Sequence, residues 1–129
     1  MVTWDPDGPG PATPVVVLGG NFTAAGNVEA RRVVAFDPVS ATWWPLHSAG
    51  AFVSACAVLQ NGDLVAAHYL GTNFDATVMR WNGTAWVPLA ATFNAMVNAL
   101  AVLPNGELIA GGNFSFAGGV AASRIARWN

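Results

Sequence analysis

The chain has 129 residues, of which 53% are hydrophobic and 9% charged, with a formal net charge of −2. That length suits one domain around a single core, and the weak negative charge leaves no basic stripe to neutralise nucleic-acid phosphates. Polar residues and glycines interrupt every apolar run short of the roughly 18 residues of a membrane helix, no charged leader precedes an apolar stretch, and Cys56 has no second cysteine to pair with.

In chain order, "MVTW" (1–4) opens a strand, and the Pro/Gly-rich "DPDGPGPATP" (5–14) links it to an apolar strand ending at Gly19-Gly20. After a loop over 23–31 come the strand "RVVAFD" (32–37) and a short strand carrying Trp43, then a loop over 47–51. The next stretch repeats this plan. "LQNGDLVAAHYL" (59–70) aligns without a gap on "LPNGELIAGGNF" (103–114) at an offset of 44, and "VMRWNGTAWVPL" (78–89) matches 33–46 apart from a longer turn. A loop over 90–95 leads to the third copy: "VNALAVL" (97–103), "ELIAGG" (107–112), a loop over 115–123, and "RIARWN" (124–129). The glycine-rich "LGGNFTAAGN" and "AGGNFSFAGG" therefore stand at matching places, since Phe22 precedes Phe36 and Phe114 precedes Trp128 by the same 14 residues.

Short runs of branched and small apolar residues bounded by Asn-Gly, Asp-Pro or Gly-Gly predict strands joined by tight hairpins. Asn61-Gly62 and Asn105-Gly106 predict two-residue turns with positive φ. Eleven strands are expected, with no helix longer than a turn. A four-stranded antiparallel unit repeating every 44 to 48 residues has the period of a propeller blade.

The "AVL-x-NG" strand, the strand ending Gly-Gly, the strand ending in an aromatic and Asp or Asn, and the short Trp strand together resemble kelch-type β-propeller repeats. The likeness is to the Gly- and Ala-rich kelch-like repeats of large bacterial secreted proteins. It implies an all-β fold of three blades in one domain, at about 1–46, 52–89 and 96–129, the last without its outer strand. It places Gly19-Gly20 and Gly111-Gly112 at the family's glycine doublet, Trp43 and Trp86 at its outer-strand tryptophan, and Phe36, Trp81 and Trp128 at its third-strand aromatic. It also implies an extracellular or cell-surface setting. Three blades do not close a ring, for which about four to eight are usual. Either copies of the chain complete the propeller, two giving six blades and three giving nine, or the chain is a segment of a longer secreted protein.

Few residues offer chemistry. His68 and Tyr69 replace the second glycine of the doublet and the Asn after it, which marks either a site or drift within the repeat. His47 falls in a loop, and two histidines without matched carboxylates or cysteines make a poor zinc set. Cys56 sits at the apolar position of Leu100, as a buried thiol would. The serines lie in no nucleophile elbow, and Asp63, Glu107 and Asp37 recur as turn residues rather than as a catalytic pair. Phe93 with Asn94, and Phe116, are the nearest to a sugar-binding set, while Glu29, Arg31 and Arg32 form the one charged cluster. The expectation is a non-enzymatic interaction scaffold with no metal and no cofactor. Its first partner is another copy of itself, and a ligand-binding, lectin-like propeller using His68, Tyr69, Phe93 and Asn94 for a carbohydrate or protein is the alternative.

Overall fold

The computed structural model describes residues 1–48, 50–71, 73, 75–89 and 92–128. Ala49, Ala90 and Ala91 of the predicted loops, and Asn129 at the end of the third copy, lie outside them. Among the described residues every regular element is a strand. The first sheet takes β1 (Val2–Trp4) and β2 (Val15–Gly19), is interrupted by β3 (Ala24–Ala25) and β4 (Val28–Glu29), and continues with β5 (Val33–Asp37) and β6 (Thr42–Pro45). The second takes β7 (Phe52–Val58), β8 (Leu64–Tyr69), β9 (Ala76–Trp81) and β10 (Trp86–Pro88). The third takes β11 (Val97–Val102) and β12 (Leu108–Gly112), then, beyond β13 (Phe116–Ala117) and β14 (Val120–Ala121), β15 (Ile125–Trp128). The orders are β1-β2-β5-β6, β7-β8-β9-β10 and β11-β12-β15, each neighbouring pair antiparallel.

The three sheets hold eleven strands. Four more were not anticipated: 23–31 and 115–123, expected as loops, each fold into a miniature hairpin, β3–β4 and β13–β14. The turns after β7 and β11 also differ from expectation. Leu59 and Asp63 pair across the turn, as do Leu103 and Glu107, so each loop has three residues rather than two. Only the glycines, at φ 89° and 88°, take the left-handed region. This is the type I turn with a glycine bulge, and the asparagines serve it differently: Asn61 Oδ1 accepts the Asp63 N–H and Asn105 Oδ1 the Glu107 N–H, both at 3.1 Å.

Register makes the copies superimposable. Val17 lies opposite Ala35, Val65 opposite Arg80, and Ile109 opposite Arg127. One step on with the same facing, Gly19 lies opposite Val33, Ala67 opposite Val78, and Gly111 opposite Ile125. Directly paired residues share a face and successive residues alternate, so each sheet has two apolar faces. One carries the Val17, Val65 or Ile109 row. The other carries Val16 and Leu18, or Leu64 and Ala66, or Leu108 and Ala110.

Two cores follow from stacking these faces. The Val15, Val17, Val33 and Ala35 face of the first sheet packs on Leu64, Ala66 and Val53 of the second. The opposite face of the second sheet, with Val65, Ala67 and Val78, packs on Leu108 and Ala110 of the third. Close approach needs small residues: a Cβ on Gly19 would stand 2.5 Å from Val53 Cγ1, and one on Gly112 only 2.1 Å from the Met96 carbonyl oxygen. Polar ties cross both seams. Trp4 Nε1 donates to the Gly62 carbonyl (3.0 Å), Trp86 Nε1 to Leu46 (2.5 Å) and Gln60 Nε2 to Pro104 (2.6 Å).

Candidate functional site

The connections between sheets anchor to matching places and then diverge in chemistry. The Ser48 N–H donates to the Arg31 carbonyl (2.9 Å), and the Phe93 N–H to the Ala76 carbonyl (2.8 Å), in each case two residues ahead of the Val33 or Val78 that lines the seam. At the first seam Ser48 Oγ then meets His68 Nδ1 at 2.5 Å and accepts the Gly50 N–H at 3.0 Å. At the second, the Phe93 ring meets Phe114 and Trp128, with centroids 4.7 and 5.2 Å apart. A polar pair thus stands where the next seam has an aromatic cluster.

His68 is buried, with its ring edge-on to Trp86 (centroids 4.7 Å) and Nε2 without a partner among the described residues. Burial pushes its pKa down to about 4. The ring is therefore neutral near pH 7, and the pair locks the connection to β8. A proton passed from Ser48 to this imidazole would lie on a group that burial holds against protonation.

The four residues expected to bind a ligand do not form one surface. His68 and Tyr69 are successive on β8, so their side chains leave opposite faces; the Tyr69 ring lies on Phe52, centroids 4.8 Å apart. Phe93 is wholly buried, which removes it as an exposed sugar platform. It was expected in a loop, but its backbone bridges Ala76 on one side and Ala117 on the other, drawing the ring into the core. Asn94 is exposed, yet its carboxamide already clasps the β13–β14 hairpin. Its Oδ1 accepts the Ser115 and Phe116 N–H groups and its Nδ2 donates to Ser115 Oγ, all at 3.0 Å.

Ser48 was missed as a partner for His68. The connection from Leu46 to Ser48 is two residues shorter than that from Leu89 to Phe93, and gapless comparison of the copies hides the match. Ser48 also lines a cleft of about 590 Å³ with Thr23, Glu29, Arg31, Arg32 and Gly50. Arg31 Nε holds Glu29 Oε1 at 3.0 Å there, both side chains largely exposed, and Arg32 Nη1 donates to Asn21 Oδ1 at 2.8 Å. Arg32 and Arg124 share positive φ (70° and 68°) at matching positions, which makes that conformation a feature of the repeat.

The two end faces of the stack are a second candidate. In the third sheet Ala99, Ala101 and Ile125 are exposed, Ile109 is half-buried, and Arg127 joins Glu107 at 3.7 Å at the rim. The matching Val65, Ala67 and Val78, and Val17 and Val33, are fully buried by the sheet that follows. At the other end Val16 and Leu18 are half-buried where Leu64, Ala66 and Ala110 are sealed. The exposed face of the last sheet is the same kind that packs onto a successor, and the open face of the first is the kind that receives one.

No family model, curated protein or solved structure matches the chain.

Proposed function

We propose that the chain is a non-enzymatic interaction scaffold, a kelch-like propeller segment whose sheets are blades and whose ring is completed by further copies of itself. The observation that carries this reading is the exposure of Ile125, at 63%, where Val33 and Val78 are fully buried. Surfaces that pack on a neighbour twice within one chain are complementary by construction. Repeating that contact between chains is head-to-tail, and such a contact closes into a ring when the rotation allows. Burying the aliphatic rows at both ends supplies the driving force. Two chains giving six blades is the first expectation, and three giving nine the second. Light scattering on the purified chain tests it, with a particle of two or three chain masses expected.

A second reading, a binding propeller of lectin-like use, is favoured by the polar cleft beside Ser48, where Thr23, Glu29, Arg31 and the half-buried Gly50 surround a space large enough for a sugar ring. A glycan array tests it: signal that Arg31→Ala removes supports this reading, and an array with no signal ends it.

A further inference from the structure

The first seam opens at its turn end into a cleft of about 400 Å³ lined by tryptophans from both sheets. Trp4 lies opposite Val15 and Trp44 opposite Ala35, on the face of the first sheet that packs against the second. Trp81 stands on the opposing face, two residues beyond the Met79 that pairs with Ala66. The buried Leu46 and Leu64 close the base, and the cleft lies between two sheets that are each four-stranded.

Packing of a seam does not require these rings. At the second seam Leu59 takes the place of Trp4 and Val87 that of Trp44. Trp44 is an exposed residue, and Trp4 and Trp81 are half-buried. Two of the rings are nevertheless held in place: Trp4 Nε1 donates to the Gly62 carbonyl, and the Trp81 ring rests on Trp86 with centroids 5.4 Å apart. Polar groups with unused capacity stand at the same opening. Asp63 Oδ2 accepts from Asn61 Nδ2 at 2.9 Å and from Arg80 Nη1 at 3.1 Å, which leaves Oδ1 free among the described residues. Asn82 Oδ1 accepts the Thr84 and Ala85 N–H groups, which leaves Nδ2 free to donate among the described residues. Between Trp4 and Pro6 of the rim, Asp5 has a buried Oδ1 with no partner among the described residues.

We infer that this cleft binds a neutral β-linked saccharide whose pyranose units carry equatorial hydroxyls, as in a β-glucan. Such a ring has C–H bonds on both flat faces and hydroxyls round its edge. The C–H faces lie against indole faces, whose π clouds are negative, while the edge hydroxyls donate to Asp63 and accept from Asn82. Aromatic walls with a few placed polar groups are the general form of a small-ligand site, and the volume falls within the usual range of about 300–1,000 Å³. Charge selects a neutral sugar. Arg80 is engaged by Asp63, and no other cation lines the cleft among the described residues, so an acidic sugar would meet a carboxylate with nothing to balance it. A proline-rich segment also suits an aromatic groove, but proline has no N–H to give the free oxygens of Asp63 and Asp5. The inference rests neither on ring closure nor on the cleft beside Ser48, which is a different site.

The probe is cellotetraose, titrated into the nitrogen-15-labelled whole chain and followed in N–H correlation spectra. The indole resonances of Trp44 and Trp81 should shift saturably while the backbone resonances of Thr23 and Arg31 stay in place. Trp44→Ala should weaken binding, read at Trp81, by about tenfold, which is what one stacked ring is worth. Asp63→Ala should weaken it as well, and both variants should keep the circular-dichroism spectrum of the chain; if one misfolds, the other decides. Shifts confined to Thr23 and Arg31 would put the sugar in the cleft beside Ser48 and overturn this site while leaving that one standing. No saturable shift at roughly tens of millimolar sugar, or binding indifferent to both variants, overturns the site. Equal binding of tetragalacturonate or of hexaproline overturns the assignment to a neutral saccharide.

Discussion

Ser48 Oγ and His68 Nδ1 share a 2.5 Å hydrogen bond in the seam between the first two sheets, and His68 is sealed there beside Trp86. The seam holds a neutral imidazole in a place that excludes its charged form. With an ordinary pKa of 6.5 and a folded value of about 4, His68 takes up its proton in the unfolded chain first. Stability from this group is complete above pH 6.5 and is lost as pH falls from there to 4. The loss is on the order of 3 kcal/mol. Urea midpoints for the chain should fall across that window, and those of His68→Gln should fall markedly less. Parallel pH profiles would show that His68 is not the titrating group.

Trp86 joins three elements, through Trp81, His68 and the Leu46 carbonyl. Trp86→Ala should destabilise by about 3–5 kcal/mol, whereas Trp44→Ala, at a residue 39% exposed, should cost under about 1 kcal/mol. Chemical denaturation of the two variants compares them directly, and equal costs would contradict the assigned packing.

The adjacent glycines of the third copy should behave oppositely. Gly112→Ala places a Cβ 2.1 Å from the Met96 carbonyl oxygen and must move backbone, while the nearest atom to a Cβ on Gly111 is 3.8 Å away. A cost of about 1–3 kcal/mol is expected for the first and little for the second. Thermal melts of both variants check the pair.

Cys56 lies under Gly19 in the first seam, and burial pushes its thiol up to about 11. Iodoacetamide at pH 8 should therefore modify the folded chain far more slowly than the urea-unfolded chain. Equal rates would place the thiol in solvent.

Strand positions were legible because side chains alternate and the copies keep register: Val17, Val65 and Ile109 could be aligned by counting. The all-β character and the antiparallel pairing rest on that periodicity. What counting missed depends on contacts made after folding. Ser48 meets His68 through a connection two residues shorter than its counterpart, and Phe93 is buried because its backbone bridges two hairpins. Hairpins as short as β3–β4 leave no periodic trace at all. Of the candidate site, the departure at His68 was visible, but the partner that explains it was not.

The head-to-tail reading concentrates on the half-buried Ile109 and the exposed Ile125, the counterparts of residues buried twice elsewhere. The most direct measurement is the particle mass by light scattering at tens of micromolar, for the chain and for an Ile109→Arg, Ile125→Arg variant. The chain should give two or three times 13.3 kDa, and the variant should give a single chain mass with an unchanged circular-dichroism spectrum. A folded monomer for the unaltered chain, or an oligomer that survives both arginines, would contradict the proposal.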